Sequence, residues 1–148
     1  MARIKLAIPS HFLFSTLIPI RITDLNYGNH VGNDSILSIL HEARVQYLKS
    51  FGFAELDFAG VGLIMSDVGI EFKAEAFYGD VVKAYVTVQN LSKVGFDLYY
   101  KLVRGENEEV VALAKTGMLC FDYGKRKIAP VPDEASEKLG QEDAGLST

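Results

Sequence analysis

One helical pattern followed by several strand patterns constrains the fold of this chain more than any other feature. The apolar residues of one segment recur at helical spacing and form a single stripe: Ile36, Leu40, Ala43 and Tyr47. The helix is predicted to begin near Asn33 or Asp34, because either side chain could cap it. It is predicted to end at Gly52, since glycine readily takes the left-handed conformation that closes a helix. The sequence therefore indicates one long amphipathic helix.

Four strand-like segments follow the helix, at residues 63–72, 82–89, 96–102 and 111–121. The second and third alternate between apolar and polar residues, which is typical of half-buried strands. The fourth is apolar on both faces around Lys115, which suggests contact with a second copy of the sheet. A first strand is expected at about residues 12–22, with Pro19 at a sheet edge, and a last short one ends near Pro130. Short turns join neighbouring strands, so the sheet is predicted to be antiparallel. Together these elements predict an α+β fold in which one long helix covers one face of an antiparallel sheet.

Length and charge set limits on the domain organisation. The 148 residues suit one domain, which we expect to span residues 1–132. Residues 133–148 hold five acids and one lysine, and this segment carries the whole net charge of -4. We expect it to be an acidic, flexible tail with at most one short helical turn. The rest of the chain is neutral, which argues against a nucleic-acid partner.

The compartment is also constrained by composition. Cys120 is the only cysteine, so no internal disulfide can form. No apolar run is long enough to span a bilayer, and the first residues do not make a convincing signal peptide. These features favour the cytoplasm. The three histidines and the one cysteine show no spacing typical of a metal site, so none is expected.

Three stretches of the sequence resemble a known family. They are RITDLNYGNHVGN at 21–33, HEAR at 41–44 and FKAEAFYGD at 72–80. They resemble the D-x-D-x-x-x-H-x-x-N loop, the helical E-x-A-R and the strand-then-G-D turn of hot-dog thioesterases. The likeness is closest to the 4-hydroxybenzoyl-CoA thioesterase-like branch, which includes short bacterial acyl-CoA thioesterases. It covers roughly residues 12–131.

This resemblance implies a fold and an activity. The fold would be the hot-dog fold, with a five- to six-stranded antiparallel sheet wrapped around one central helix. The activity would be hydrolysis of an acyl-CoA to the free acid and CoA. No separate cofactor is implied, because CoA is part of the substrate and of the product. The family also implies a homodimer or homotetramer with the site between subunits.

The catalytic residues of the family do not all reappear in this chain. The second acid of the D-x-D pair, usually the catalytic carboxylate, is replaced by Asn26, and the asparagine of the plant acyl-carrier-protein enzymes is replaced by Gly28. Asn26 can orient water or the thioester carbonyl but cannot act as a base. His30 has a suitable intrinsic pKa for a base, and Asp24 and Glu42 are the carboxylates nearest in sequence.

The substrate is expected to lie against the helix and the strand that follows it. The N-terminus of the helix, after Asn33, would stabilise the oxyanion. The acyl group would occupy an apolar channel between helix and sheet. The residues expected to bind substrate are Tyr27, Asn33, Leu37, Ile64, Asp67 and Val68.

Simpler interpretations remain open for these residues. Asp24 could brace its loop, Asn33 could cap the helix, and Glu42 could pair with Arg44 or a loop amide. Asn26 also leaves open a non-catalytic protein that binds acyl thioesters. A hot-dog dehydratase acting on 3-hydroxyacyl thioesters and a purely structural partner protein are further alternatives. Acyl length, the choice between CoA and acyl-carrier protein, and dimer against tetramer stay undecided.

Overall fold

The computed structural model describes residues 1–143. Its helices and strands are β1 (Phe14–Pro19), α1 (Asn33–Ser50), β2 (Gly62–Phe72), β3 (Val81–Gln89), β4 (Gly95–Arg104), β5 (Glu109–Asp122), β6 (Lys127–Ile128) and α2 (Asp133–Asp143). A short 3-10 helix, Ile22–Asp24, follows β1. All strand pairs are antiparallel, in the order β1-β3-β4-β5-β2, and β6 pairs with β5. The predicted α+β architecture is confirmed.

Helix α1 buries the predicted stripe against one face of the sheet. Its buried residues join one core cluster with the alternate residues of β3, β4 and β5 that point the same way. We call this the inner face of the sheet. The beginning of α1 differs from the prediction, because Gly32 occupies the capping position and no side chain caps the helix. Gly52 has a φ of +83°, as expected for the residue that follows the end of a helix.

Strand β2 forms one edge of the sheet and contains a β-bulge between Met65 and Asp67. A bulge places two residues opposite one, so the alternation of faces changes there. Ile64 pairs with Leu119 on the outer face, whereas Val68 pairs with the fully buried Thr116 on the inner face. The predicted channel, which needed Ile64 and Val68 on the same face, is therefore wrong.

Helix α2 replaces much of the predicted acidic tail. Ala135 and Leu139 are fully buried, four residues apart on one side of the helix, and α2 contacts β3. The hydroxyl of Tyr47 donates a hydrogen bond of 2.9 Å to Glu142 Oε1. The burial of Ala135 and Leu139, together with this hydrogen bond, explains why residues 133–143 are not the solvated tail that composition suggested. The last five residues of the predicted tail lie outside the described residues.

Among residues 1–143, no helix is both long enough and apolar enough to cross a membrane.

Candidate active site

Asp24 braces the two ends of the loop that precedes α1. Its carboxylate accepts a hydrogen bond of 2.8 Å from the backbone N–H of Arg21, and the Arg21 guanidinium lies 3.4 Å from the other carboxylate oxygen. Its backbone carbonyl accepts a hydrogen bond of 3.1 Å from the N–H of Gly32. The carboxylate is buried among these contacts. The geometry matches the interpretation of Asp24 as a loop brace.

Asn26 and His30 converge over Gly28 at the tip of this loop. Asn26 Oδ1 accepts a hydrogen bond of 2.9 Å from the N–H of Gly28, and Asn26 donates its own N–H to the carbonyl of His30 at 2.9 Å. A Cβ atom placed on Gly28 would lie 3.2 Å from Asn26 Oδ1 and 3.3 Å from His30 Nε2. Glycine therefore allows the amide and the imidazole to approach each other. Two of the predicted catalytic residues are brought together here.

The imidazole of His30 has a defined orientation. Its Nδ1 lies 3.2 Å from the carbonyl oxygen of Val31, and a carbonyl can only accept, so we assign the proton to Nδ1. Nε2 is then the unprotonated ring nitrogen, and Glu75 Oε1 lies 3.8 Å from it. The N–H of Val31 donates to the carbonyl of Ala76 at 2.8 Å and holds the Glu75 loop beside the imidazole. Glu75 was not predicted as a site residue, although it lies in the FKAEAFYGD stretch.

A cavity of about 240 Å³ opens beside His30 at the beginning of α1. We call it the helix-start cavity. Its lining residues are His30, Val31, Asn33, Ile36, Phe72, Lys73, Ala74, Glu75, Ala76 and Val111. The first turn of an uncapped helix offers free N–H groups and a favourable dipole for an anion. The arrangement combines a candidate base, a carboxylate partner and a candidate oxyanion site.

Asp34 adds a negative charge at the same helix terminus. A Cβ atom on Gly32 would lie only 2.5 Å from Asp34 Oδ1, so the carboxylate folds back over this glycine. The same point is 3.5 Å from the Cβ atom of Asn26. Asp34 was expected only as a possible helix cap. Gly32 lies between its carboxylate and the side chain of Asn26.

Asp24 and Glu42 border a different and larger cavity, of about 450 Å³, between β1 and α1. We call it the strand-edge cavity. Glu42 Oε2 accepts a hydrogen bond of 2.7 Å from Gln46 Nε2, so its partner is neither Arg44 nor a loop amide. Neither His30 nor Asn33 borders this cavity. The four predicted catalytic residues are thus split: Asp24 and Glu42 border the strand-edge cavity, and His30 borders the helix-start cavity with Asn26 beside it in the loop.

The remaining predicted binding residues do not line the helix-start cavity. Tyr27 is fully exposed at the loop tip, and Leu37 is partly exposed on α1. Asp67 lies on the outer face of the sheet, where Lys115 Nζ is 2.7 Å from its Oδ1 and the N–H of Gly117 donates to it at 3.0 Å. The hydrogen bond from Lys115 lowers the pKa of Asp67. Of the predicted binding residues, only Asn33 borders the helix-start cavity.

A buried polar network explains the arginine of the HEAR stretch. The buried Arg44 donates Nε–H to Glu55 Oε1, and its guanidinium lies 3.4 Å from the hydroxyl of Tyr100. That hydroxyl is 2.7 Å from Thr116 Oγ1. Burial raises the pKa of Tyr100, so the phenol stays protonated. The network ties α1 to the sheet and has a structural role.

Neither a reactive cysteine nor a metal site was expected from the sequence. Burial raises the pKa of Cys120 to about 11, which keeps its thiol protonated and unreactive. Across residues 1–143, no group of three or more His, Cys, Asp or Glu side chains is placed to hold a metal ion.

Comparison with known proteins now identifies the family. The model of the thioesterase-like superfamily matches residues 20–139. The chain belongs to the thioesterase-like superfamily. The predicted family resemblance is confirmed, and the match includes the loop, α1 and every strand from β2 onward. Membership supports a thioester hydrolase.

Solved structures share the fold of this thioesterase-like chain at low sequence identity. A 1,4-dihydroxy-2-naphthoyl-CoA thioesterase from Synechocystis is 23% identical with a TM-score of 0.79, covering 86% of this chain and 95% of that one. A DHNA-CoA thioesterase from Staphylococcus aureus is 20% identical with a TM-score of 0.79, covering 90% and 95%. A thioesterase superfamily protein from Jannaschia is 18% identical with a TM-score of 0.82, covering 95% and 89%. The predicted hot-dog fold is confirmed.

Proposed function

We propose that this thioesterase-like protein hydrolyses an acyl-CoA to the free acid and CoA at the helix-start cavity. The observation that carries the proposal is the convergence of three groups there. They are the oriented imidazole of His30, the facing carboxylate of Glu75 and the uncapped beginning of α1. Thioester hydrolysis needs a base, a group that stabilises the protonated base, and donors for the oxyanion.

The groups suggest a simple sequence of proton transfers. Water attacks the thioester carbonyl carbon while His30 Nε2 takes one proton from that water. The carbonyl oxygen becomes negative and is stabilised by the N–H groups of the first turn of α1. The carbon–sulfur bond then breaks with its electron pair on sulfur, and the imidazolium gives its proton to the CoA thiolate. Glu75 stabilises the imidazolium between these steps, because opposite charges attract at 3.8 Å, although solvent around the exposed carboxylate weakens the attraction.

Asn26 has a supporting part in this proposal. Its Oδ1 already accepts the Gly28 N–H, and the second lone pair of this oxygen can hold the attacking water beside His30. No cofactor is needed, since CoA enters with the substrate and leaves as product. The lone, buried Cys120 is compatible with the cytoplasm, where we expect the protein to act.

We also propose that a second copy of the chain completes the site. In the described sheet, β2 is an edge strand, and its inner-face side chains extend past the cover of α1. Met65, Val68 and Phe72 are 41%, 41% and 51% exposed. An open apolar edge of this kind favours pairing with another chain. Because Phe72 also lines the helix-start cavity, pairing there would place the cavity beside the subunit interface.

Dehydration of a 3-hydroxyacyl thioester is the second candidate function, because it also requires a histidine and an acid that face each other. The distance of 3.8 Å between His30 Nε2 and Glu75 Oε1 argues against this alternative. A dehydratase would need room for substrate carbons between the two groups. A non-catalytic binding protein is the third candidate, supported by Asn26 in place of the usual carboxylate.

A thiol-release assay over acetyl-, hexanoyl-, palmitoyl- and benzoyl-CoA tests the proposal. We expect turnover by the wild-type protein, a loss of at least a hundredfold in His30→Ala, and no loss in His11→Ala, a matched change at an exposed residue that does not line the cavity. Formation of an enoyl product from 3-hydroxyacyl-CoA without thiol release would instead establish dehydration. Binding of acyl-CoA without either reaction would establish a binding protein. In that case Asn26→Asp, which restores the usual carboxylate, is the variant expected to gain hydrolysis.

A further inference from the structure

The inner end of the helix-start cavity is closed by buried side chains of this chain. Ile36 and Val111 border the cavity and are 3% and 2% exposed. Behind them, Leu40 lies one helical turn further along α1, and Ala112 is the next residue of β5. Both are fully buried members of the same core cluster. The space between helix and sheet is therefore filled beyond Ile36.

The cavity is polar at its mouth and apolar at its inner end. The polar residues that line it are His30, Asn33, Lys73 and Glu75, and the side chains of Glu75 and Lys73 are well exposed to solvent. The apolar wall deeper in includes Val31, Ile36 and Ala76, all of which are buried. A thioester placed with its carbonyl at His30 would keep CoA in solvent and point its acyl group toward Ile36.

We infer that this cavity selects short or compact acyl groups and that Ile36 sets its depth. The inference rests on the proposed function, since it names the substrate class of the same site. A cavity of about 150 Å³ can hold one benzene molecule. The 240 Å³ of the helix-start cavity, part of it used by the carbonyl, thus suits about four to eight acyl carbons.

A second copy of the chain does not remove this limit. The inner wall consists of residues from α1 and β5 of a single chain, whereas a partner at β2 would cover the open side beside Phe72. An alternative route for a long acyl chain runs sideways, along the exposed inner face of β2. The length dependence of binding and the response to Ile36 variants separate these two routes.

The test measures binding and turnover in parallel over a series of chain lengths. S-alkyl-CoA thioethers from ethyl to hexadecyl report the depth of the cavity without any hydrolysis, and the matching acyl-CoAs report kcat/KM. In the wild-type protein we expect thioether affinity and kcat/KM to be greatest at about four to eight carbons and at least tenfold lower at sixteen. In Ile36→Val and Ile36→Ala we expect the best length to increase, by about two carbons in Ile36→Ala.

Ile39→Ala is the matched control. Ile39 is an equally buried isoleucine of α1, at 4% exposure, but it borders the strand-edge cavity instead. The Ile39→Ala variant removes the same atoms from the core and should leave the preferred acyl-chain length unchanged. Greatest affinity at twelve carbons or more, or an unchanged best length in both Ile36 variants, would overturn the inference. If no acyl-CoA is hydrolysed but thioether binding shows the expected length dependence, hydrolysis is refuted, and the inference that Ile36 sets the depth of the cavity is still supported.

Discussion

His30 Nε2 and Glu75 Oε1 face each other at 3.8 Å across the mouth of the helix-start cavity, although the two residues are 45 positions apart. Glu75→Gln keeps the shape of the side chain and removes its charge. We expect kcat to fall about three- to fivefold, because the imidazolium formed during the reaction loses a counter-charge whose attraction solvent already weakens. The free energy of unfolding should hardly change, since the Glu75 side chain is 63% exposed.

Steady-state kinetics and chemical denaturation of the same sample check this prediction. Glu106→Gln, in the exposed turn between β4 and β5, is the matched control and should behave as wild type. Equal kcat in Glu75→Gln and the control would show that Glu75 has no part in the reaction.

Gly28→Ala tests the convergence of Asn26 and His30. The new methyl group would lie 3.2–3.3 Å from both side chains, which must shift by a few tenths of an ångström. We expect a loss of about tenfold in kcat with little change in stability, because catalysis is sensitive to small displacements. In the control Gly124→Ala, the methyl group lies similarly close, at 3.3 Å, to Asp122 Oδ1 in the β5–β6 turn. A loss of activity in both variants would point to a general effect of the added methyl group.

Arg44→Met tests the buried network that ties α1 to the sheet. The variant leaves the Glu55 carboxylate without its main partner, and we expect the free energy of unfolding to fall by about 2–4 kcal/mol. Urea denaturation measures this loss. Adding Glu55→Gln should restore part of it, since the unpaired charge is removed. Arg104→Met breaks partly exposed pairs with Asp80 and Glu109 and should lower the free energy of unfolding much less than Arg44→Met does.

Glu142 predicts a dependence of stability on pH. Burial raises the pKa of Glu142 above its ordinary value of 4.5, so the folded state favours the neutral carboxyl. Its contribution to stability is full below pH 4.5 and is lost as the pH rises through the raised pKa. Glu142→Gln, which keeps an acceptor for Tyr47, should therefore gain in Tm relative to wild type between pH 4 and pH 7. A constant difference in Tm over this range would contradict the assignment.

The parts of the fold that the sequence predicted depend on local patterns. The stripe of α1 repeats every three or four residues, and the alternation in β3 and β4 is regular, so both were predicted close to their observed bounds. α2 was missed because its buried side is narrow. Ala135 and Leu139 alone carry it, within a segment whose composition is acidic.

The bulge in β2 could not be predicted, because it depends on a residue about 50 positions away. Ser66 Oγ donates to the carbonyl of Gly117, and the N–H of Gly117 donates to Asp67 Oδ1. A Cβ atom at Gly117 would lie 2.7–2.8 Å from both side chains, so only glycine admits them. Because of this bulge Asp67 lies on the outer face, whereas it was expected at the site.

The composition of the site was predicted in part. His30 and Asn26 were identified through a loop motif in which they are close in sequence. Glu75 was missed because a backbone hydrogen bond between Val31 and Ala76 brings it to His30. Asp24 and Glu42 are near in sequence but border another cavity, since their hydrogen bonds are to Arg21 and Gln46.

The loop that carries Glu75 is held at both ends by backbone hydrogen bonds. The N–H groups of Lys73 and Ala74 donate to the carbonyl of Val111 at 2.8 and 3.2 Å, and the carbonyl of Ala76 accepts the N–H of Val31. Amide deuterium uptake at Val31, Lys73 and Ala74 should therefore be slow in the absence of any ligand. A wall that is already ordered has little conformational entropy left to lose, so a substrate would bind it without a slow, unimolecular isomerisation step.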